Sequence, residues 1–390
     1  MIKNAAVLVV GAGPAGLVLA NLLQEAGIST VVLERGSREH VQTRARAGFL
    51  GAHSAKVLTE HGLGAGMLHN GQSHGTCAFR YGDSQFELDY STLGRSEVHT
   101  VYPQQNLVTD LIAAYLERGG DLRFGATVTG IGTASATVRY QDSTGTGEVS
   151  GRFIAGCDGS NGVTRTALPA GLVTRCGRDH GIAWLAVLAE APQSMSAVTY
   201  AVHRNGFAGH MARSPHVTRY YLQVPANDDP AGWQDDRIWS ELALRMRADT
   251  FGQLKEGRIT ERRIVRLRSD VVDPMQHERL FLAGDAASLI SPSAAKGANL
   301  AILQAEVLAR AFTDALVRDD ESALNAYSRT CLPRIWRAQE FSHWMINLLH
   351  GPSGTGQEAD FHRALHRTRL DNLRDCRAQQ DLFAEHYVGI

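Results

Sequence analysis

The apolar positions of this chain change their period along its length, and the changes divide it into regions. Residues 5–10 are a continuous apolar, β-branched run ending in Gly-Ala-Gly-Pro-Ala-Gly; a helix-forming stretch, 17–25, and a second apolar run, 30–33, follow. Runs apolar at every residue belong to strands buried on both faces, so this opening predicts a βαβ unit on a parallel sheet. Helices are predicted around 52–59 and over 105–118, and alternating segments at 122–128 and 136–140 predict an antiparallel insert. From 181 to 225 the pattern shifts to short strand-like runs, 182–188, 198–203 and 220–224, and a separate β-rich region is expected there. A buried strand at 280–283 and a helix over 297–317 come next. Periodicity predicts helix through 323–349, with Trp336 and Trp344 on one face, and 351–356 reads as a loop. No long linker or repeat separates the regions, so two interleaved domains are expected.

Composition narrows the class. The 390 residues carry 39 Lys+Arg against 40 Asp+Glu, with 44% hydrophobic residues, which is enough chain for two substantial cores. Interspersed charge of nearly zero sum excludes a chain-wide grip on nucleic acid or anionic lipid. The cysteines (Cys77, Cys157, Cys176, Cys331 and Cys376) are scattered without a CxxC pair, so neither a disulfide framework nor a zinc site is expected. The first apolar run is broken by Gly11, too short for a membrane span and without a signal-peptide cleavage site. A cytoplasmic protein with reduced thiols is the expectation.

The candidate chemistry begins at that break. Gly11-x-Gly13-x-x-Gly16 lies between a predicted strand and a predicted helix, and Glu34 closes the next strand. In the dinucleotide fingerprint the first glycine permits a tight turn, the second lets backbone approach a pyrophosphate, and the third allows close helix–strand packing. The acid binds ribose hydroxyls. An adenine dinucleotide is expected, FAD and NAD being left open by this motif alone. Asp158-Gly159 follows an apolar run at 153–155, and Gly284-Asp285 follows the run at 280–283.

With these three motifs the chain resembles the single-component flavoprotein aromatic hydroxylases, and within them the 4-hydroxybenzoate 3-monooxygenase family. The resemblance covers nearly the whole chain. It is carried by Arg44-Ala45-Arg46-Ala47-Gly48, Thr100-Val101-Tyr102-x-Gln104, Trp184-Leu185, Arg219-Tyr220-Tyr221-x-Gln223-Val224-Pro225, Asp273-Pro274-Met275-Gln276-His277, Ala295-Lys296-Gly297-x-Asn299 and Tyr387-Val388-Gly389. It implies an α/β fold: a Rossmann-like FAD domain of the glutathione-reductase type (1–70, 98–180, 266–330), an interleaved β-sheet substrate domain (71–97, 181–265) and a C-terminal helical region (331–390). It also implies a homodimer.

The family likeness further implies an activity. FAD, with NADPH or NADH as co-substrate and O2, would hydroxylate a para-hydroxylated benzoate ortho to its hydroxyl through a flavin C4a-hydroperoxide. FAD would be held by Gly11, Gly13, Gly16, Glu34, Arg35, Arg46, Gln104, Asp158, Gly284, Asp285 and Asn299. Arg213 and Tyr221 match a carboxylate clamp, an arginine fork suiting a benzoate, and Trp184 lies in the substrate region. Tyr200 matches the residue that bonds the para hydroxyl, Tyr387 relays the proton, and His74 is the outer end of the relay, a role suited to imidazole. Pro292 would present a backbone carbonyl near the reacting position. Arg35, Arg38, His40, Arg44, Asn161, Arg165 and Arg268 match the NAD(P)H groove, with Asn161 standing where the family has histidine.

The pocket also departs from the family. Met211 stands where the clamp has a serine, Gly209 and Val198 where it has leucines, and Ser293 where it has threonine. Met211 is expected to fill volume lost at Gly209. An aminobenzoate hydroxylase and a non-catalytic flavin or aromatic-acid binding module are the other readings. The paired tyrosines argue against the last, because binding alone needs no proton exit.

Overall fold

The computed structural model describes residues 3–44, 48–82, 84–248, 253–351 and 355–389. Arg46 lies outside the described residues. The first large sheet has six strands in the order Gln276–His277, Leu280–Leu282, Phe153–Gly156, Val7–Val10, Thr30–Glu34, Asp121–Phe124. All run parallel except the outermost pair at Gln276–His277. Val7–Val10 and Phe153–Gly156 are buried at every position, as the unbroken apolar runs require of central parallel strands. Helices Pro14–Glu25, Gln104–Glu117 and Gly297–Val317 pack beside this sheet in one core with it. The buried Asn21 locks two of them, its Nδ2 donating to the carbonyls of Leu17 (2.8 Å) and Leu111 (3.0 Å).

The second sheet has eight strands, ordered Ser288–Leu289, Arg258–Asp273, Thr174–Glu190, Val217–Pro225, Ala208–Ser214, Val198–Val202, Thr76–Tyr81, Ser84–Asp89. Alternation along these strands sends side chains to two different cores. Ala183, Leu185, Val187, Tyr220 and Leu222 meet Ile238, Trp239 and Leu242 of helix Asp235–Arg245. Trp184, Val198, Tyr200 and Phe207 face the other way, toward Phe341, Phe383 and Tyr387 of helices Tyr327–Leu349 and Arg377–Val388. A cavity of about 920 Å³ lies between the two sheets, bordered by the N-terminal parts of helices Pro14–Glu25, Gln104–Glu117 and Gly297–Val317.

Several expectations change. The segment 122–128 is two elements, because Gly125 adopts φ +70° and ends the first of them. Asp121–Phe124 extends the parallel sheet beside Thr30–Glu34, and Thr127–Gly132 alone pairs antiparallel with Thr137–Asp142. An edge strand of a parallel sheet is half-exposed, so its pattern imitates a hairpin strand. The strand expected from 182 begins at Thr174, and the long strands Thr174–Glu190 and Arg258–Asp273 run through both expected domain divisions. We propose the register shift between Asp179 and Ala183 as the division. Helix 323–349 is split at Ala326, and Trp336 is exposed whereas Trp344 packs on Phe341.

Gln304 joins the helix Gly297–Val317 to the Gly-Asp loop: its Oε1 accepts from Gly284 N (2.7 Å) and its Nε2 donates to Ser288 Oγ (3.1 Å). Gln304→Leu leaves a buried N–H unpaired and is expected to cost about 1–3 kcal/mol. The urea midpoint measures this, and a midpoint equal to the parent's contradicts it.

Candidate active site

One end of the cavity is a cradle made of backbone. Gly11, at φ +105°, has no room for a side chain, since a Cβ there would stand 2.5 Å from the Cys157 carbonyl oxygen. A Cβ on Gly16 would stand 2.0 Å from Gly11 O, whereas one on Gly13 would meet nothing within 4 Å and point into open cavity. Gly13 also caps helix Pro14–Glu25 without a side-chain bond, so the first N–H groups of the helix remain for an anion. Glu34 spans the loop from the next strand, its Oε2 accepting from Ala12 N (2.8 Å) and its Oε1 from Gly36 N (2.7 Å). Each carboxylate oxygen keeps a lone-pair site for a ribose hydroxyl.

The remaining cradle residues divide into those at the wall and those behind it. Arg35, Gln104, Asp158, Gly284 and Asp285 line the cavity. Gln105, which sequence reasoning missed, lines it too, with its buried Oε1 lacking a protein partner. Asp158 accepts from Thr164 N (3.0 Å) and Thr164 Oγ1, and burial raises its pKa. Asn299 is not at the wall. It donates to Phe49 O and Ala295 O (3.0 Å each) and accepts from Gly51 N (2.8 Å), so it acts through Phe49, which is at the wall. A pyrophosphate at Gly13, a ribose at Glu34 and a polyol at Asp285 fit FAD; the residues present suit it.

The other end is aromatic. Trp184, Val198, Tyr200, Phe207, Gly209, Met211, Tyr221, Pro292 and Ser293 line it. Trp184 lies 4.9 Å from Phe207 and 5.0 Å from Tyr221 between ring centroids, and its Nε1 donates to His350 Nε2 (2.8 Å). His350 Nδ1 donates in turn to Ile346 O (2.8 Å), and burial lowers its pKa to about 4, so this ring stays neutral. A Cβ on Gly209 would stand 2.9 Å from Phe207 Cζ. Phe207 thus closes on Gly209 from one side, and Met211, two residues along the same strand, lines the same wall. Arg213 is buried behind this wall beside Tyr221 and Arg219, and burial lowers its pKa. Arg219, missed in the sequence, reaches the wall itself and pairs with Glu261 at 3.5 Å.

Tyr200 and Tyr387 stand 187 positions apart in the chain, yet their hydroxyls lie 2.7 Å apart and both rings are buried. Burial drives both pKa values upward, so each phenol stays protonated and the pair can only pass a proton along. Lys296, fully buried, donates to the carbonyls of Tyr387 (2.9 Å) and Gly389 (2.5 Å) and so pins the last helix. Burial lowers its pKa to about 7. His74 is half-buried at the outer side, and its Nδ1 meets Tyr90 Oη at 2.9 Å.

The residues matched to NAD(P)H are spread along the cavity mouth and beyond. Arg35, His40, Arg44, Asn161 and Arg268 line the mouth and are exposed. Burial, Arg263 and Arg35 lower the pKa of Arg44. Arg38 is exposed at the start of helix Arg38–Thr43, off the wall. Arg165 is buried, bonded to Asp270 (2.5 Å) and Ser160 O (3.0 Å).

Comparison with known proteins places the chain in a family. The family described as FAD binding domain matches residues 4–342. The chain is 34% identical to p-hydroxybenzoate hydroxylase of Acinetobacter baylyi, covering 98% of this chain and 95% of that protein. It is 27% identical to para-nitrophenol 4-monooxygenase of a Pseudomonas species, over 83% of this chain and 81% of the relative. The solved p-nitrophenol 4-monooxygenase of Pseudomonas putida shares the fold at TM-score 0.83 and 18% identity, covering 100% of this chain and 99% of that one. The fold and the site define an FAD-dependent aromatic hydroxylase that uses NAD(P)H. Within that class the chain belongs to the p-hydroxybenzoate hydroxylase-like family.

The one open glycine of the fingerprint, Gly13, separates folding from flavin binding. Gly13→Val is expected to leave a folded protein with most of its FAD absent after purification, because the valine occupies the pyrophosphate position. Flavin absorbance per protein measures this; a full complement of FAD in the variant contradicts the cradle.

Proposed function

We propose that this chain hydroxylates a para-hydroxylated benzoate ortho to its hydroxyl, converting 4-hydroxybenzoate to 3,4-dihydroxybenzoate. The observation that carries the reading is the buried Tyr200–Tyr387 hydroxyl pair at 2.7 Å, at the aromatic end of a cavity whose other end is the FAD cradle. FAD, when bound, takes two electrons from NAD(P)H and delivers one atom of O2 to the ring. The chain's own residues do the rest. Arg213, with Tyr221 and the neighbouring Arg219, draws the carboxylate to one end of the pocket. Trp184, Phe207 and Val198 exclude water from the ring. Tyr200 accepts the para hydroxyl's proton as its own passes to Tyr387, which makes the ring electron-rich; His74 stands at the solvent side.

Further parts of the reading are the cytoplasm, a homodimer and indifference to membranes. Among the described residues no helix is long and apolar enough to cross a membrane, and Phe361 and Leu365, exposed one turn apart, offer an apolar stripe to a second copy. An aminobenzoate is the second reading, favoured by Met211, which brings no hydroxyl to the pocket.

A panel of substituted benzoates, assayed for NADPH and NADH oxidation with products identified by mass spectrometry, decides between them. Tyr200→Phe is expected to bind 4-hydroxybenzoate and oxidise coenzyme, yet release mainly hydrogen peroxide, with the hydroxylated product falling at least about tenfold. Coupling as efficient as the parent's would sink the phenol reading and favour the aminobenzoate.

A further inference from the structure

Four aromatic rings form a series along the cavity face of the substrate sheet and join the two ends of the pocket. Tyr221, at the carboxylate end, lies 5.0 Å from Trp184 between ring centroids; Trp184 lies 4.9 Å from Phe207, and Phe207 stacks at 6.3 Å on Tyr200, whose hydroxyl belongs to the buried pair. All four line the cavity. The two middle rings therefore shape the space between the residue read as a carboxylate clamp and the one that meets a ring hydroxyl.

One polar side chain touches both middle rings. His350, the residue that closes helix Tyr327–Leu349, packs 5.8 Å from Trp184 at 26° and 5.5 Å from Phe207. An indole N–H only donates, so His350 Nε2, 2.8 Å from Trp184 Nε1, is the unprotonated nitrogen. The proton of the neutral ring is then on Nδ1, which faces the carbonyl of Ile346 at 2.8 Å, and a carbonyl only accepts. Each ring nitrogen is thus committed to a partner that can play one role. The turn that carries His350 is held in its own right from the next helix, Gln357–Asp375, where His366 Nε2 donates to Leu348 O (2.7 Å).

We propose that His350 is a positioning residue that fixes the plane of the Trp184 indole and, through Trp184 and Phe207, the fit of the pocket around an aromatic acid. The indole has one donor, and it is spent on His350. Without that acceptor the buried N–H has to find another, and the ring turns with it. The proposal rests on the reading of this end of the cavity as an aromatic-acid site.

Two substitutions separate this role from space-filling. His350→Phe keeps the aromatic volume and removes the acceptor, whereas His350→Gln loses the ring and keeps an acceptor in its side-chain carbonyl. In titrations of flavin absorbance with 4-hydroxybenzoate, the FAD-loaded His350→Phe is expected to bind at least about tenfold more weakly than the parent. His350→Gln is expected to stay within about threefold of the parent. A space-filling role gives the opposite order; that order, or equal affinity in parent and His350→Phe, overturns the proposal. Should a variant fail to fold, the parent decides: with tryptophan and histidine labelled by 15N, the Trp184 indole signal, assigned by Trp184→Phe, is expected to show nitrogen–nitrogen coupling to one histidine, and its absence overturns the proposal. A parent that shows the coupling yet binds none of the benzoates sinks the reading of the site, and the pocket role of His350 with it.

Discussion

The hydrogen bond between Tyr200 and Tyr387 holds the site together. One tyrosine sits on the strand Val198–Val202 of the substrate sheet and the other on the last helix, Arg377–Val388. Nothing local in either element brings them within reach. What does is a core in which Phe79 and Phe383 pack around the pair, with Lys296 gripping the carbonyls of Tyr387 and Gly389 from the Gly-Asp side of the molecule. Two phenols in so apolar a place would each lack a partner if separated, and an unmade buried bond costs more than a made one contributes. Substrate sheet and last helix are thus joined by one short contact, and Lys296 ties that helix to the start of helix Gly297–Val317.

The cradle obeys a different constraint, close approach of backbone to backbone. Gly16 lets helix Pro14–Glu25 sit against the turn at Gly11, and Gly13 leaves an opening where the helix N-terminus faces the cavity. Glu34 and Gln304 then fix the loops on either side of that opening through backbone N–H groups. Precision here comes from hydrogen bonds to main chain, which tolerate few substitutions, whereas the aromatic end is shaped by side chains that can repack. Phe207, closing on Gly209 from one side, is one of them.

This difference governs what was legible in the sequence. The fingerprint glycines, the central strands and the helix Gly297–Val317 could be read directly, because each is dictated by local sterics or by burial on every side. The tyrosine pair was legible only through family likeness, no periodicity connecting residues so far apart. His350 escaped altogether, since it meets its partner Trp184 across 166 positions of chain. Arg165 looks like a surface cation in the sequence and proves to be buried, because its partner Asp270 is 105 residues away. The strand Asp121–Phe124 was misplaced for a related reason: its half-exposed edge pattern carries no mark of its parallel neighbour.

The most direct measurement is the absorbance of 4-hydroxybenzoate bound to the FAD-loaded protein, followed against pH without reductant. A hydroxyl wired to Tyr200 and a carboxylate beside buried arginines are expected to favour the phenolate. The bound ligand should therefore lose its phenolic proton at lower pH than free ligand, and Tyr200→Phe should erase the difference. A bound ligand that titrates like the free one contradicts the account.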